Sequence, residues 1–243
     1  MKRNYYSMKR LLENWNNYLI ENREQKVNIF LDMDGVLVNF ASSVREYIKD
    51  GYSVDADIFF PDSKSSRALH RKLQRLNLSS SELEDLYDRA AAKFQSGGEY
   101  NPQEHLIHNY IFKILTNNKD LWLSMKKLTG ADNLVRLAFN IADNVFVLTA
   151  QVDETSKEAK KEWIARHFPQ IDPANVNVDR DKGGRLKRLV KNQIVSGTDL
   201  NILIDDRKHF LKSFIDAGGQ GVQYNYESPD DALQELERIL ATN

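Results

Sequence analysis

The chain has 243 residues, with 34 Lys and Arg, 35 Asp and Glu, five His and no Cys. A net charge of −1 with 41% hydrophobic residues excludes a disordered chain. The lack of cysteine excludes a disulfide framework and a cysteine-ligated zinc or iron–sulfur site. Near-neutral charge disfavours a protein that mainly coats nucleic acid. No apolar run approaches the roughly 20 residues that span a bilayer, so we expect no membrane partner. The lack of cysteine and of a targeting segment favours a cytoplasmic protein.

Residues 1–25 are predicted to form an amphipathic helix rather than an export signal, because no uninterrupted apolar segment follows the first basic residues. At helical spacing one face carries Met8, Leu11, Leu12, Trp15, Tyr18 and Leu19. This face could dock on the rest of the chain, or it could serve as an arm that binds a partner or a second copy of the chain in a homodimer.

Five short apolar segments are predicted to be buried strands, because they are rich in β-branched and aromatic residues and are bounded by turn residues. They are Val27–Leu31, Val145–Leu148, Val176–Val178, Leu200–Ile204 and the weaker Gly221–Tyr224. Helical stretches separate them along the chain. Near-continuous apolar strands alternating with helices predict an α/β fold: a Rossmann-like parallel sheet with helices on both faces.

The interval between the first two strands is far longer than a crossover needs, at about a hundred residues where a dozen would do. Its sequence is helical in character, with Ser79–Glu82 matching a capping box. We therefore expect a helical cap over residues 41–140, inserted after the first strand. Residues 26–40 and 141–243 would form the α/β core.

Acidic and hydroxyl side chains follow three of the predicted strands at their carboxyl ends, where open parallel sheets bind ligands. They are Asp32, Asp34, Thr149, Asp205 and Asp206. Carboxylates gathered at one edge repel one another strongly unless a cation compensates them. Oxygen ligands without a placed His or Cys favour Mg²⁺. The sequence therefore predicts a magnesium site at this edge of the sheet.

Such a site suits phosphoryl transfer. Asp32, held at a strand end, is suited to attack phosphorus and form an aspartyl-phosphate. Asp34, two residues on in a turn with Gly35, is suited to general acid and base catalysis. Thr149 could hydrogen-bond the phosphoryl oxygens, and a lysine is needed to balance their charge. The helix after Thr149 offers Lys157, Lys160 and Lys161.

At these residues the chain resembles the haloacid dehalogenase superfamily of phosphohydrolases. The segment Ile29–Leu37, which contains Asp32-Met33-Asp34-Gly35, is similar to the first motif of that family. Thr149, Lys160 and Ile204-Asp205-Asp206 are similar to the second, third and fourth. The match looks closer to the 5′(3′)-deoxyribonucleotidase branch, on account of Phe40, Trp163, His167-Phe168, Arg180-Asp181-Lys182 and Arg207.

The resemblance implies a role for each matched position. Asp32 would be nucleophile and metal ligand, and Asp34 would be acid/base and bind Mg²⁺ through its carbonyl. Asp205 would be the third protein ligand, with Asp206 beside it or acting through water. The remaining positions would contact substrate: Thr149, the Ala150 N–H and Lys160 at the phosphate, and Phe40 at the nucleotide. The branch usually has Ser-Pro where this chain has Ala150-Gln151, which weakens the substrate assignment more than the reaction class.

The expected activity is thus a Mg²⁺-dependent phosphomonoesterase, most closely a 5′(3′)-deoxyribonucleotidase acting on a small-molecule nucleoside monophosphate. The same chemistry on a sugar phosphate or a nucleic-acid 3′-phosphate, and a catalytically silent binding protein, are the alternatives. The phosphate lysine is open between Lys160 and Lys161, with Lys182 a more distant competitor. The basic stretch Arg180–Lys191 fits either substrate guidance or a solvated helix face, which leaves a nucleic-acid partner disfavoured but open.

Overall fold

The computed structural model describes residues 25–96 and 98–242, so the predicted N-terminal helix lies outside the described residues. Five parallel strands form one sheet in the order β3-β2-β1-β4-β5. They are β1 (Val27–Leu31), β2 (Asn144–Thr149), β3 (Val176–Val178), β4 (Leu200–Asp205) and β5 (Gln220–Gln223). All five predicted strands are therefore confirmed, and with them the parallel α/β, Rossmann-like fold with helices on both sides of the sheet.

Eleven α-helices and one short 3-10 helix, Pro173–Asn175, are found in the described residues. Between β1 and β2 lie α1 (Phe40–Tyr52), α2 (Ala56–Phe59), α3 (Lys64–Gln74), α4 (Ser80–Ser96), α5 (Pro102–Leu115), α6 (Lys119–Ser124) and α7 (Ala131–Ile141). Later come α8 (Glu154–His167), α9 (Lys182–Lys191), α10 (Lys208–Ile215) and α11 (Pro229–Thr242). The insert after the first strand is thus helical throughout, as predicted.

Local side chains fix several of these helix ends. Ser79 and Glu82 exchange the two hydrogen bonds of a capping box, as expected from the sequence. Asn101 and Glu104 form a second box at the start of α5, which has Pro102 in its first turn. Gly218, with φ +97°, follows the end of α10 and adopts the left-handed conformation that stops a helix.

The described chain forms two compact units. The sheet unit comprises residues 25–39, 126–151 and 161–242, and the helical unit comprises residues 40–125 and 152–160. These limits differ from the predicted cap of 41–140 in two main respects: residues 152–160, predicted as core, belong to the helical unit, and residues 126–140, predicted as cap, belong to the sheet unit. Helix α7 belongs to the sheet unit, because its apolar face, including Leu134, Val135 and Ala138, is buried and the helix packs against β2.

The core of the sheet unit forms around aromatic rings that project from the two central strands. Phe30 of β1 stacks on Phe146 of β2 at a centroid distance of 4.7 Å, and meets Phe214 of α10 edge-on at 5.3 Å. Leu186 and Leu189 of α9 belong to the same buried cluster. Helices α9 and α10 are thereby anchored against the sheet.

A row of three asparagines crosses the sheet near its amino end. Asn28 of β1 donates to Asn201 of β4 at 2.9 Å, and Asn144 of β2 donates to Asn28 at 2.8 Å. The three residues are register partners in the strand pairing. Because each amide of the row finds a polar partner, Asn28 and Asn201 are accommodated in a buried position.

The helical unit has its own core, which contains a buried histidine. His70 of α3 is fully buried, with Nδ1 2.6 Å from the Tyr110 hydroxyl and Nε2 2.9 Å from the Val54 carbonyl. Since a carbonyl can only accept, Nε2 carries the proton and Nδ1 accepts from Tyr110. No helix of the described residues is both long enough and apolar enough to cross a membrane.

Candidate active site

Two aspartates stand level with each other at the carboxyl ends of neighbouring strands. Leu31 pairs with Ile204 in the register of β1 and β4, so Asp32 and Asp205 come next on both strands. The Asp32 N–H donates to the Ile204 carbonyl at 2.9 Å, which holds the Asp32 backbone to the sheet. One carboxylate oxygen from each of Asp32, Asp205 and Asp206 lies within 4.8 Å of the others. The structure therefore brings together the side chains of three of the four predicted acids, and Asp34 is not among them.

The turn after β1 brings a glycine against this carboxylate group. Backbone N–H groups of Leu37 and Val38 both donate to the Met33 carbonyl at 2.9 Å, which closes the turn that contains Asp34. Gly35 has φ +84°, and a Cβ at this position would lie 2.6 Å from the Oδ2 of Asp206. Glycine is required here for its conformation and for the close approach of Asp206. Asp34 itself is half-buried in the same turn.

Lys182, the first residue of α9, reaches into the carboxylate group. Its Nζ donates to the Oδ1 of Asp32 at 2.7 Å and also to the Oδ2 of Asp205. The lysine side chain is fully buried, as is that of Asp205. Its Nζ also lies 4.6 Å from the ring centroid of Phe210. A buried ammonium shared by two carboxylates fixes both of them in place.

The charges of the site are unevenly balanced, because the acids outnumber the nearby cations. Burial, then the neighbouring Asp32, raises the pKa of Asp205 to about 6, although Lys182 opposes the shift. Burial and Asp32 likewise raise the pKa of Asp206 to about 8. Burial alone would lower the pKa of Lys182, but the charges of Asp32 and Asp205 outweigh it, and that pKa is raised. Lys182 therefore stays charged and leaves an excess of negative charge beside it.

The residues present fit a small divalent cation. The Oδ1 of Asp206 is buried and accepts no hydrogen bond from the described residues. The Nε of Arg207 lies 4.0 Å from that oxygen. Three carboxylates converging on one point, with a buried oxygen left over, match the oxygen ligands that Mg²⁺ prefers. Asp32, Asp205 and Asp206 are the side chains that would hold it, and its charge would offset theirs.

Thr149 ends β2 on the same edge of the sheet and is fully buried. Its carbonyl accepts from the Asp179 N–H at 2.7 Å, which joins the end of β2 to the segment after β3. Just beyond Ala150, the Gln151 carbonyl accepts from the Nε of Arg180 at 2.6 Å. The segments that follow β2 and β3 are thus tied to each other, and the second of them leads directly into Lys182.

Two other predicted residues, Phe40 and Lys160, belong to the helical unit. Lys160 is fully buried there, with its Nζ 4.8 Å from the ring centroid of Trp122. Phe40 begins α1, and its ring lies 5.8 Å from the same tryptophan. Their proposed contacts with phosphate and nucleotide stay predictions.

Lys182 is the residue that sequence reasoning valued too little. The same rule that selected the acids, position just after the carboxyl end of a strand, applies to it, because β3 ends at Val178 four residues earlier. The helix after Thr149 offers three competing lysines, Lys157, Lys160 and Lys161. Lys182 is hard to select from the sequence for two reasons. Strand β3 has only three residues, and Lys182 lies in a run of basic residues that begins at Arg180.

No family model matches the chain, and no curated protein matches it either. Among solved structures, one similar chain is a haloacid dehalogenase-like family hydrolase from Xanthomonas campestris, with 14% identity over 91% of this chain and 95% of that one, at a TM-score of 0.46.

Two further solved structures bear comparable names. A HAD hydrolase, family IA, variant 3, from Entamoeba histolytica has 14% identity over 82% of this chain and 84% of its own, at a TM-score of 0.43. CbbY from Rhodobacter sphaeroides, solved in complex with phosphate, has 14% identity over 83% and 88%, at a TM-score of 0.40. At these scores we take the function of this chain from the geometry of its own site.

Proposed function

We propose that the chain is a Mg²⁺-dependent phosphomonoesterase of the haloacid dehalogenase superfamily that works through an aspartyl-phosphate on Asp32. The observation that carries the proposal is Lys182 held between Asp32 and Asp205, with Asp206 beside them. A nucleophilic carboxylate, a fixed cation and a cluster of metal-binding oxygens are the groups that attack on a phosphate ester requires.

In the first half of the reaction the Asp32 carboxylate attacks phosphorus. An O–P bond forms to Asp32 as the bond to the leaving oxygen breaks, and Asp34 gives that oxygen its proton. In the second half Asp34 takes a proton from water, which attacks the aspartyl-phosphate and releases inorganic phosphate and free Asp32. Mg²⁺, when bound, supplies positive charge for the phosphoryl oxygens.

The other residues of the sheet unit position these groups. Lys182 neutralises part of the charge on Asp32 and keeps its carboxylate in one orientation. Thr149 and the Ala150 N–H are proposed to bind the phosphoryl oxygens from the end of β2. Asp205 and Asp206 are proposed to complete the cation site, with Asp206 directly or through water.

The proposed substrate is a (deoxy)nucleoside monophosphate, with Phe40 against the nucleotide and Lys160 at its phosphate. This finer assignment is supported by the resemblance of the motifs. A sugar phosphate or a 3′-phosphate end of a nucleic acid would use the same chemistry. Both stay alternative substrates, because Ala150-Gln151 replaces the Ser-Pro that is usual in the nucleotidase branch.

A panel of phosphate esters assayed for released phosphate with Mg²⁺ tests both levels of the proposal. We expect turnover that is fastest on deoxynucleoside monophosphates, and we expect Asp32→Asn to abolish it. Asp216→Asn, at an exposed acid of the sheet unit, is the matched control and should retain wild-type rates. Faster turnover of sugar phosphates or 3′-phosphorylated DNA would replace the substrate class, and no turnover of any ester would overturn the proposed activity in favour of a binding protein.

A further inference from the structure

The first turn of α9 contains two glycines in succession, directly after Lys182. Glycine is unfavourable within helices, second only to proline, so a pair of them in a ten-residue helix calls for a packing reason. The N-cap residue Asp181 explains Gly184. Its carboxylate accepts from the Gly184 N–H at 2.8 Å, and a Cβ at position 184 would overlap that carboxylate. Gly183 faces a different neighbour.

Gly183 lies against the backbone of α10. A Cβ built on it would lie 2.2 Å from the carbonyl oxygen of Ser213 and 2.7 Å from the Ser213 Oγ. The Gly183 N–H also points at that hydroxyl, at 3.3 Å. No side chain other than hydrogen fits this gap, because the nearest obstacle is main chain and cannot rotate away. Helices α9 and α10 are thus in backbone contact at the residue that follows Lys182.

From this contact we infer that Gly183 is a positioning residue for Lys182, and that its lack of a side chain sets the depth to which the lysine reaches Asp32 and Asp205. The inference rests on the proposed function for its catalytic consequence. The C-terminal part of α9 is anchored in the core through Leu186 and Leu189. The clash that a side chain at position 183 makes with Ser213 is therefore relieved when the first turn of α9 moves away from α10. This movement carries Lys182 away from the carboxylates.

The movement that a Cβ at position 183 requires is large enough to affect the reaction rate. Ordinary contacts of a Cβ begin near 3.4 Å, so a gap of 2.2 Å must open by about 1 Å. A displacement of that size in a catalytic group costs up to roughly a hundredfold in rate. The shared hydrogen bonds of Lys182 to Asp32 and Asp205 would not survive it in their present geometry.

The test compares Gly183→Ala with Gly197→Ala. A Cβ at position 197 meets its nearest neighbour, the Val190 Cγ1, at an ordinary 3.6 Å. We expect Gly183→Ala to lower kcat by roughly tenfold to a hundredfold with a smaller change in KM, and Gly197→Ala to stay within about twofold of wild type. In a Lys182→Met background, Gly183→Ala should have no further effect on kcat, because the two changes act through one group.

A readout that does not need turnover separates this inference from the proposed activity. The Lys182 charge repels a cation at the carboxylates, so withdrawing it should lower the Kd for Mg²⁺ severalfold in Gly183→Ala, measured by calorimetry. A crystal structure of the same variant should show the Lys182 Nζ farther than 2.7 Å from the Asp32 Oδ1. If the wild type had no phosphatase activity but the Gly183→Ala variant gave these two results, the proposed function would be refuted and the positioning role of Gly183 would stand.

Three outcomes would overturn the positioning role itself. One is a Gly183→Ala variant with wild-type kcat and Kd for Mg²⁺. The second is an unchanged Lys182 position in its crystal structure. The third is an equal loss of kcat from Gly183→Ala with and without Lys182, which would mean that the glycine acts on the fold in general.

Discussion

The Nζ of Lys182 lies 2.7 Å from the Oδ1 of Asp32, although the two residues are 150 positions apart. Both side chains are almost entirely shielded from solvent. A buried ion pair of this kind is costly to break from one side, because the remaining charges lose their compensation. The pair therefore links the stability of the sheet unit to the chemistry proposed for it.

Replacing the lysine should destabilise the protein in a metal-dependent way. We expect Lys182→Met to lower the free energy of unfolding by about 3–5 kcal/mol in EDTA, and by less in Mg²⁺, because the cation compensates Asp32 and Asp205. Urea titrations with and without Mg²⁺ measure both values. Lys187→Met, at an exposed position of the same helix, should change stability little under either condition, and equal losses in EDTA and Mg²⁺ for Lys182→Met would contradict the prediction.

Asp206 should show the opposite behaviour. Its Oδ1 is buried without a hydrogen bond from the described residues, and burial together with the charge of Asp32 makes its ionised form unfavourable. Asp206→Asn should therefore raise the Tm in EDTA by a few degrees and largely remove the rise in Tm that Mg²⁺ gives the wild type. Calorimetric scans in EDTA and in Mg²⁺ provide the comparison. A variant with an unchanged response to Mg²⁺ would exclude Asp206 from the cation site.

Gly35 allows a test with a closely matched glycine. Gly35 and Gly130 both have positive φ, at +84° and +94°, but only the first is crowded, since a Cβ at position 130 meets nothing within 4 Å. Gly130→Ala should cost about 1–2 kcal/mol from backbone strain alone. Gly35→Ala should cost more and should also weaken Mg²⁺ binding, because its Cβ displaces Asp206. Equal effects of the two variants on Mg²⁺ affinity would show that the contact with Asp206 is unimportant.

His70 should make the stability of the helical unit sensitive to acid. Burial lowers the pKa of His70, while its hydrogen bond to Val54 and the charge of Asp55 oppose the shift and Arg71 adds to it. Because the folded pKa is below the unfolded value, the folded state binds fewer protons. The stabilising contribution is therefore complete above about pH 6.5 and is lost as the pH falls below it.

Denaturation at pH 5, 6, 7 and 8 checks this expectation. His70→Phe should be less stable than wild type at pH 8 by about 1–3 kcal/mol, because the buried Tyr110 hydroxyl loses its acceptor, while the Val54 carbonyl loses the bond from His70 but keeps the one from Gln74. It should lose less further stability on acidification than wild type does. His105→Gln, at an exposed histidine of α5, is the control and should keep the wild-type pH dependence. An identical slope in His70→Phe would assign the acid sensitivity to another group.

The strands and most helices could be predicted because their signals are local. Strand β1, for example, is an apolar run that ends in turn residues, and its five residues are all buried as expected. Helix α1 lies almost entirely within the segment predicted to be helical, and its buried residues Val44 and Ile48 recur at helical spacing. The acids of the site could also be found, since their positions follow from strand ends and the parallel arrangement of the sheet.

The same strand-end rule admits Lys182, but it does not determine which lysine meets Asp32. Lysine is common on helices, and both Lys160 and Lys182 are fully buried in the structure. Which of them contacts the carboxylates depends on how closely α9 packs on α10, and that distance is set at Gly183 and Ser213. Such contacts join residues distant in sequence and leave no periodic pattern to detect.

The row of Asn28, Asn144 and Asn201 has a consequence at the opposite end of the sheet. The central strands are apolar on both faces, so sliding one of them by two residues would bury equivalent side chains and cost little hydrophobic free energy. Such a slide would separate the amides, and the buried groups would be left without partners. Asp32 and Asp205 each come four residues after an asparagine of the row, about 13 Å away at the rise of an extended chain. The alignment of the two acids is thus selected by amide pairing at the opposite end of the strands from the acids themselves.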